Sequence, residues 1–328
     1  MKNVVKQFEN NFSIPDFKLQ TKGMPQIKVF GVGGSGSNTV SRINNAGVLG
    51  VELVALNTDV QALHFCKAQK KILIGKNITK GLGAGMDESL GKAAALENKE
   101  EIIQALKKTD MVFVTCGLGG GTGSGASPII CELARSMGIL TVAIVTTPFS
   151  FEGEQRRQIA KKAMESLKGK VDSLLVVQND KLLKIIDEKT TVSNAFEVCD
   201  DILKQAVLGI TDLILAPAII NIDFASVVSV MKNSGKALFG MGKASGQNRA
   251  IESANQAINS PLLDFSIKGS KGILFNVSGN DTTLNEIKEI GKFITENADK
   301  KAKIIFGAIK DNTLKKGELK VTLIATKF

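Results

Sequence analysis

An α/β fold is predicted: a parallel sheet, then a long central helix, then a smaller α+β region. Three observations predict it. Apolar runs of strand length alternate with amphipathic helical segments through the first half of the chain. Several of these runs stop at glycine clusters, the pattern of strands that end in tight turns before helices. A helical apolar stripe over residues 193–215 then separates this half from a second set of strands and helices. At 328 residues, 43% apolar and 23% charged, the chain can bury the cores of two such units. The boundaries expected are an extension over residues 1–26, a first domain over 27–192, the helix over 193–217 and a second domain over 218–328.

Taken in order, residues 1–26 are polar and Lys-rich with no sustained periodicity, and so are expected to lie outside the fold. The first strand, 27–32, runs into Gly33, Gly34, Ser35, Gly36, Ser37 and Asn38, with a helix following through 39–43. A strand at 51–56 ends at Asn57, Thr58 and Asp59, and another follows at 71–74. Next come a glycine turn at 81–85 and helices over 88–96 and 99–107. Strand 111–115 leads into six glycines within residues 117–125, where a helix is expected to begin near Thr122. Backbone without Cβ atoms comes close to a ligand, and the free N–H groups of a helix start attract anions. Strands at 140–145 and 171–177 complete the first sheet, the second ending at Gln178, Asn179 and Asp180. Beyond the long helix, strands are expected at 236–241, 271–277, 302–306 and 319–325, with helices over 248–258 and 284–297. The last helix opens on Thr283 and Glu286 at capping-box spacing.

Composition excludes several classes. With no Trp and no Tyr, the base-stacking platforms of nucleic-acid modules are lacking, so no nucleic-acid partner is expected despite a net charge of +10. That basic balance leaves direct attraction to an anionic lipid surface open. No run is long enough to span a bilayer, and a cytoplasmic location is expected. The four cysteines and the sole histidine, His64, lack ligand spacing, so no metal site made of side chains is expected, nor a Ser-His-Asp or Cys-His hydrolase. Gly31, Gly33 and Gly36 with Asp59 also fit a dinucleotide fingerprint, which keeps an NAD-dependent oxidoreductase as a rival. A Walker A loop is absent.

Over residues 27–328 the chain resembles the FtsZ family of the tubulin superfamily. The resemblance is carried by Gly119-Gly120-Gly121-Thr122-Gly123-Ser124-Gly125, with Gly33-Gly34-Ser35-Gly36-Ser37-Asn38, Asn57-Thr58-Asp59, Gly81-Leu82-Gly83-Ala84-Gly85 and Asn221-Ile222-Asp223-Phe224-Ala225 in the family's order. It implies a tubulin/FtsZ-like fold with a Rossmann-like GTPase domain and GTP/GDP and Mg2+ as cofactors. It also implies head-to-tail self-assembly into the filaments of a division ring at the division site. By the same resemblance the nucleotide contacts are Gly33, Gly34, Ser35, Gly36, Asn38, Asn57, Thr58, Gly83, Ala84, Gly85, Gly117, Gly119, Gly120, Gly121, Thr122 and Gly123. Glu152 and Arg156 are implied at the ribose and phosphates, and Asn179, Phe196 and Asp200 at the base. A carboxylate at Asp200 would accept both N–H donors of guanine, whereas adenine would leave it unpaired.

Hydrolysis in such a family is a composite act, with Asn221 and Asp223 acting on the neighbouring subunit's GTP. Ser226 stands where the family pattern carries a second acid, so slow turnover is expected, and a GTP-binding filament with negligible hydrolysis is the alternative. Membrane tethers and other division proteins are implied partners, although the family's docking tail is not found before Phe328.

Overall fold

The structure, a computed structural model, describes residues 24–48, 50–183, 190–216, 218–260 and 266–328. Apart from residues 24–26, the expected amino-terminal extension lies outside the described residues, as does Pro217.

The elements run β1 (Ile27–Val32), α1 (Gly33–Asn45), β2 (Val51–Asn57), α2 (Val60–Phe65), β3 (Lys70–Leu73), α3 (Lys76–Thr79), α4 (Glu88–Glu97) and α5 (Lys99–Leu106). After these come β4 (Met111–Gly117), α6 (Gly121–Ser136), β5 (Leu140–Thr147), a 3-10 turn (Ser150–Glu152), α7 (Glu154–Leu167), β6 (Ser173–Gln178), α8 (Asn179–Leu182) and the long α9 (Val192–Leu215). The remainder is α10 (Phe224–Met231), β7 (Gly235–Ser245), α11 (Arg249–Ile258), β8 (Gly272–Gly279), α12 (Leu284–Glu296), β9 (Lys303–Lys310) and β10 (Glu318–Thr326).

All ten strands join one sheet in the order β3-β2-β1-β4-β5-β6-β7-β10-β8-β9. From β3 to β7 every pairing is parallel, and β10 is antiparallel to both its neighbours. The link across the middle is narrow, since β6 meets β7 only over Ser173↔Gly235, Leu174↔Lys236 and Leu175↔Ala237.

Strand periodicity sets the layers. In β4, Met111 and Phe113 face one core while Val112, Val114 and Cys116 face the other, as alternation on a pleated strand requires. The first core lies beneath α1, α9 and α10 and continues under the second half of the sheet through Phe239, Leu274 and Ile324. The second lies beneath α4, α5, α6 and α7. A third, built on Phe275, Val321 and Leu323, is closed by α11 and α12. The Thr283–Glu286 capping box forms at the start of α12, where Glu286 also receives Arg249 from α11 at 2.5 Å.

Two expectations change. The glycine turn before the first helix is itself helical, because α1 begins at Gly33 instead of near Thr39. The segment matched to the family through Asn221–Ala225, outside every expected element, becomes helical at Phe224, with Asp223 as its N-cap. In the first case close packing is the cause: a Cβ on Gly36 would stand 2.5 Å from the Thr115 carbonyl, and one on Gly31 would stand 2.2 Å from the Gly36 carbonyl. Only glycine lets this helix lie so close to β1 and β4.

Candidate functional site

Parallel strands deliver their carboxyl ends to one edge, and β1, β4 and β5 all stop there beside the starts of α1 and α6. At that edge a cavity of about 400 Å3 is lined by Gly33, Gly34, Ser35 and Asn38 of α1, by Gly117, Gly120, Gly121, Thr122 and Gly123, and by Glu152, Arg156, Asn179, Phe196 and Asp200. The structure therefore brings together around one cavity residues as far apart in sequence as Gly33 and Asp200. Val32, Leu118, Thr146, Pro148 and Cys199 also line it and carry no sequence signal of their own. A larger cavity of about 650 Å3 between α7 and β6 is floored by Ala160, Met164, Val171, Leu174 and Val176. Its rim residues Arg157 and Lys168 are engaged by Glu154 and Glu165, and it lacks the glycine-rich walls of the smaller cavity, which is the chemically equipped one.

One end of this cavity is a cradle of backbone. Gly34 and Gly120 have open space where a side chain would project, while a Cβ on Gly117 would stand 2.9 Å from that of Ser35. Gly119, at φ +100°, passes 3.0 Å from the Arg156 carbonyl on the same measure, an approach suited to glycine alone. The free amides of two helix starts, α1 and α6, border this end and make it favourable for an anion. Thr122 is buried, and its hydroxyl lies 2.6 Å from that of Thr58, which fixes it from behind.

The opposite end is aromatic and acidic. Phe196, Cys199 and Asp200 project from one face of α9 because they are three and four residues apart. The Phe196 ring is steadied edge-on by buried Phe149 at 5.4 Å. Asp200 is only 7% exposed, and burial pushes its carboxyl up to about 6 even though Arg42 (3.5 Å) and the Ser35 hydroxyl favour the charged form. Burial likewise pushes the Cys199 thiol up to about 12. Asn179 is buried, and its Oδ1 has no hydrogen-bond partner within the described protein. An orphaned acceptor of this kind in a cavity wall marks a place where a ligand donor fits. Between the two ends, Glu152 accepts from the Phe149 amide at 2.8 Å and from Arg156 at 3.2 Å.

Gly36, Asn57, Thr58, Gly83, Ala84, Gly85 and Gly119 do not line the cavity directly. Gly36 packs on the sheet, Thr58 stands behind Thr122, and Ala84 lies against Gly121. Asp59, the acid of the dinucleotide fingerprint, caps α2 by accepting from Gln61 and Ala62. Among the described residues no group of three His, Cys, Asp or Glu side chains is placed to hold a metal, and no helix is long and apolar enough to cross a membrane.

Asn221, Asp223 and Ser226 lie elsewhere. Helix α9 starts at the cavity and runs the remaining 15 residues from Asp200 to Leu215, roughly 22 Å at 1.5 Å per residue, before the chain reaches them. Asn221 and Asp223 are exposed there, close to β9 through the Ile220↔Ala308 bridge. Asp223 accepts from the Ser226 amide at 2.8 Å, and its carboxyl is held below the usual range chiefly by the Ser226 hydroxyl.

Comparison with known proteins agrees with this architecture. A model of the Tubulin/FtsZ family GTPase domain matches residues 26–187, and one of the FtsZ family C-terminal domain matches residues 235–328. The structure is similar to FtsZ of M. jannaschii, solved as an empty dimer, at 42% identity and a TM-score of 0.89, covering 99% of this chain and 91% of that one. CetZ2 of Haloferax volcanii, solved as a GTPgS-bound protofilament, shares the fold at 20% identity and a TM-score of 0.79, with 92% of each chain covered. CetZ1 of the same organism, a GDP-bound monomer, shares it at 22% identity and a TM-score of 0.77. With a GTPase domain, an FtsZ carboxyl-terminal domain and a 42% identical relative along nearly its whole length, the chain belongs to the FtsZ family of tubulin-like GTPases.

Proposed function

We propose that this chain assembles head to tail with GTP into the filaments of a division ring, and that each filament contact completes a slow hydrolytic site. The observation that carries this reading is the separation of the cavity from Asn221 and Asp223 by the length of α9. A subunit built this way cannot bring its own loop to its own nucleotide, whereas a stacked neighbour can.

In this reading the starts of α1 and α6 hold the phosphates through the amides of Gly33, Gly34, Gly120, Gly121 and Gly123 and the hydroxyls of Ser35 and Thr122. Asn38, Gly117 and Gly119 shape the same end, while Gly36, Asn57, Thr58, Gly83, Ala84 and Gly85 support it from behind. Glu152 and Arg156 contact the ribose and phosphates. Phe196 stacks on the base, Asn179 bonds its edge and Asp200 accepts the guanine N–H pair. Magnesium would be held through phosphate oxygens, and when bound it would neutralise charge on the terminal phosphate.

In the neighbour's loop, Asn221 orients the attacking water and Asp223 is the remaining carboxylate able to take its proton. Ser226 weakens that step in two ways. It supplies a hydroxyl where an acid could share the proton, and it bonds Asp223 so as to lower its basicity. Phosphate release by Ser226→Asp filaments is expected to exceed that of the native chain, by as much as ~10²-fold if this position limits the proton transfer. Equal rates in the two would show that it does not. A filament that binds GTP with negligible turnover is the second reading, favoured by the same Ser226–Asp223 bond. The same assay separates the two, since in that case the native chain would release no phosphate above background while still sedimenting with GTP.

A further inference from the structure

Helix α6 has both its ends in places that matter. Its first turn, Gly121–Gly123, lines the cavity, and its last turn carries Arg135 to the opposite edge of the sheet. There Arg135 donates through Nη2 to Asn233 Oδ1 at 2.5 Å and through Nη1 to the Gly169 carbonyl, with Nε 3.8 Å from Asp172. Asp172 is 3% exposed, and it holds three segments at once. Its carboxylate accepts from the Thr141 amide (2.9 Å) and the Asn233 amide (3.2 Å), and its carbonyl accepts from Ser234 (2.8 Å) and Gly235 (2.9 Å). Beside it, the Ser173 hydroxyl donates to the Met231 carbonyl at 2.7 Å, the last residue of α10. Asn233 itself is in the left-handed region at φ +51°, a turn that these bonds hold in place.

This cluster grips the carboxyl end of α10, whose amino-terminal cap is Asp223. The helix is eight residues long, so fixing Met231 and Asn233 fixes the position of Asp223 about 12 Å away along a short rigid rod. A plain reading of Arg135 is a cation at a helix carboxyl end. That reading leaves unexplained why its guanidinium reaches two other segments and why the buried Asp172 serves the α10–β7 turn with both its carboxylate and its carbonyl.

We propose that Arg135, acting through Asp172 and Asn233, is a positioning residue that sets α10 and hence the Asn221–Ser226 loop for attack on the neighbouring subunit's nucleotide. Through α6 the same residue ties that loop to the phosphate end of its own subunit's cavity. The proposal rests on the reading that the loop acts in trans.

The test uses the full chain with Arg135→Ala, Arg135→Lys, Asn233→Ala and Asp223→Ala. GTP affinity is measured below the assembly threshold, sedimentation and phosphate release above it, and hydrogen exchange along residues 219–231. For Arg135→Ala and Asn233→Ala, affinity within about twofold of native, retained sedimentation, a turnover at least tenfold lower and faster exchange confined to 219–231 are expected. Arg135→Lys, which keeps the charge but loses the fork, should fall between them and the native chain. Native turnover in both Arg135→Ala and Asn233→Ala would overturn the proposal, as would a loss of affinity matching the loss of turnover, because the effect would then lie in the cavity. If Arg135→Ala does not fold, Asn233→Ala, which keeps the Arg135–Gly169 bond, decides alone. Native turnover in Asp223→Ala would instead remove the trans reading beneath the proposal.

Discussion

At Asp200 burial and function oppose each other. The carboxyl is nearly closed off from water and so is pushed up to about 6, yet in the proposed base contact it must be ionised to accept two guanine donors. Between the ordinary carboxylate value of 3.8 and about 6, the nucleotide-free folded state holds a proton that the unfolded chain has released. Stability from this residue is therefore fully present at acid pH and is lost as pH rises through that window. GTP binding runs the other way: below about 6 it must displace the proton, and affinity is expected to fall by about tenfold per pH unit. Asp200→Asn should melt higher than the native chain at neutral pH without nucleotide. It should also bind GTP about 10- to 100-fold more weakly while gaining affinity for xanthosine triphosphate, whose 2-oxo group suits an amide donor. Calorimetry and equilibrium binding check the two halves, and unchanged GTP affinity would remove Asp200 from the base contact. At this scale the glycine runs stand out in the sequence by their own chemistry, whereas Phe196 and Asp200 are singled out only through the family resemblance, since alone they read as a core aromatic and a solvated acid. The sequence does not show Arg42, which belongs to α1 and meets Asp200 of α9 only when the two helices pack.

The glycine runs read differently as elements than as sequence. Glycine is a poor helix former, so the first run looks like a loop, yet α1 starts at Gly33, whereas α6 starts at Gly121, one residue from the expected Thr122. The reason is contact between backbones. A Cβ on Gly91 of α4 would stand 2.2 Å from the Gly121 carbonyl, and one on Gly125 would stand 2.1 Å from the Glu88 carbonyl. Some glycines that look like ligand contacts therefore also allow α4 to lie against α6. Gly91→Ala is expected to destabilise the fold by about 1–3 kcal/mol through overpacking. It should also weaken GTP binding by displacing the first turn of α6, read by thermal melting and nucleotide titration. A variant that melts like the native chain would show that the two helices can part without cost. Long, strongly periodic elements such as α9 were legible to within a residue of their ends. The helix α10 was not, because Asp223 caps it only once the preceding chain has turned against β9.

The molecule as a whole has two unlike ends joined by α9 and by one sheet. That sheet's continuity was hidden from the sequence, since it depends on three residue pairs between β6 and β7 from distant parts of the chain. Exposed apolar side chains stand near the cavity end at Val60, Leu82 and Phe151, and others at Ile219 and Phe306 near the loop end. Surfaces of this kind on opposite ends suit heterologous, head-to-tail contact, which extends into a filament instead of closing on itself. In the proposed function neither end is a complete hydrolytic site, and the cavity and the Asn221–Ser226 loop act together only across a filament contact. The most direct test of this reading is phosphate release per subunit, measured across a range of protein concentrations at saturating GTP and magnesium. Specific activity should be near zero when subunits are dispersed and should rise sharply once filaments sediment. Activity per subunit that stays constant through that threshold would contradict it.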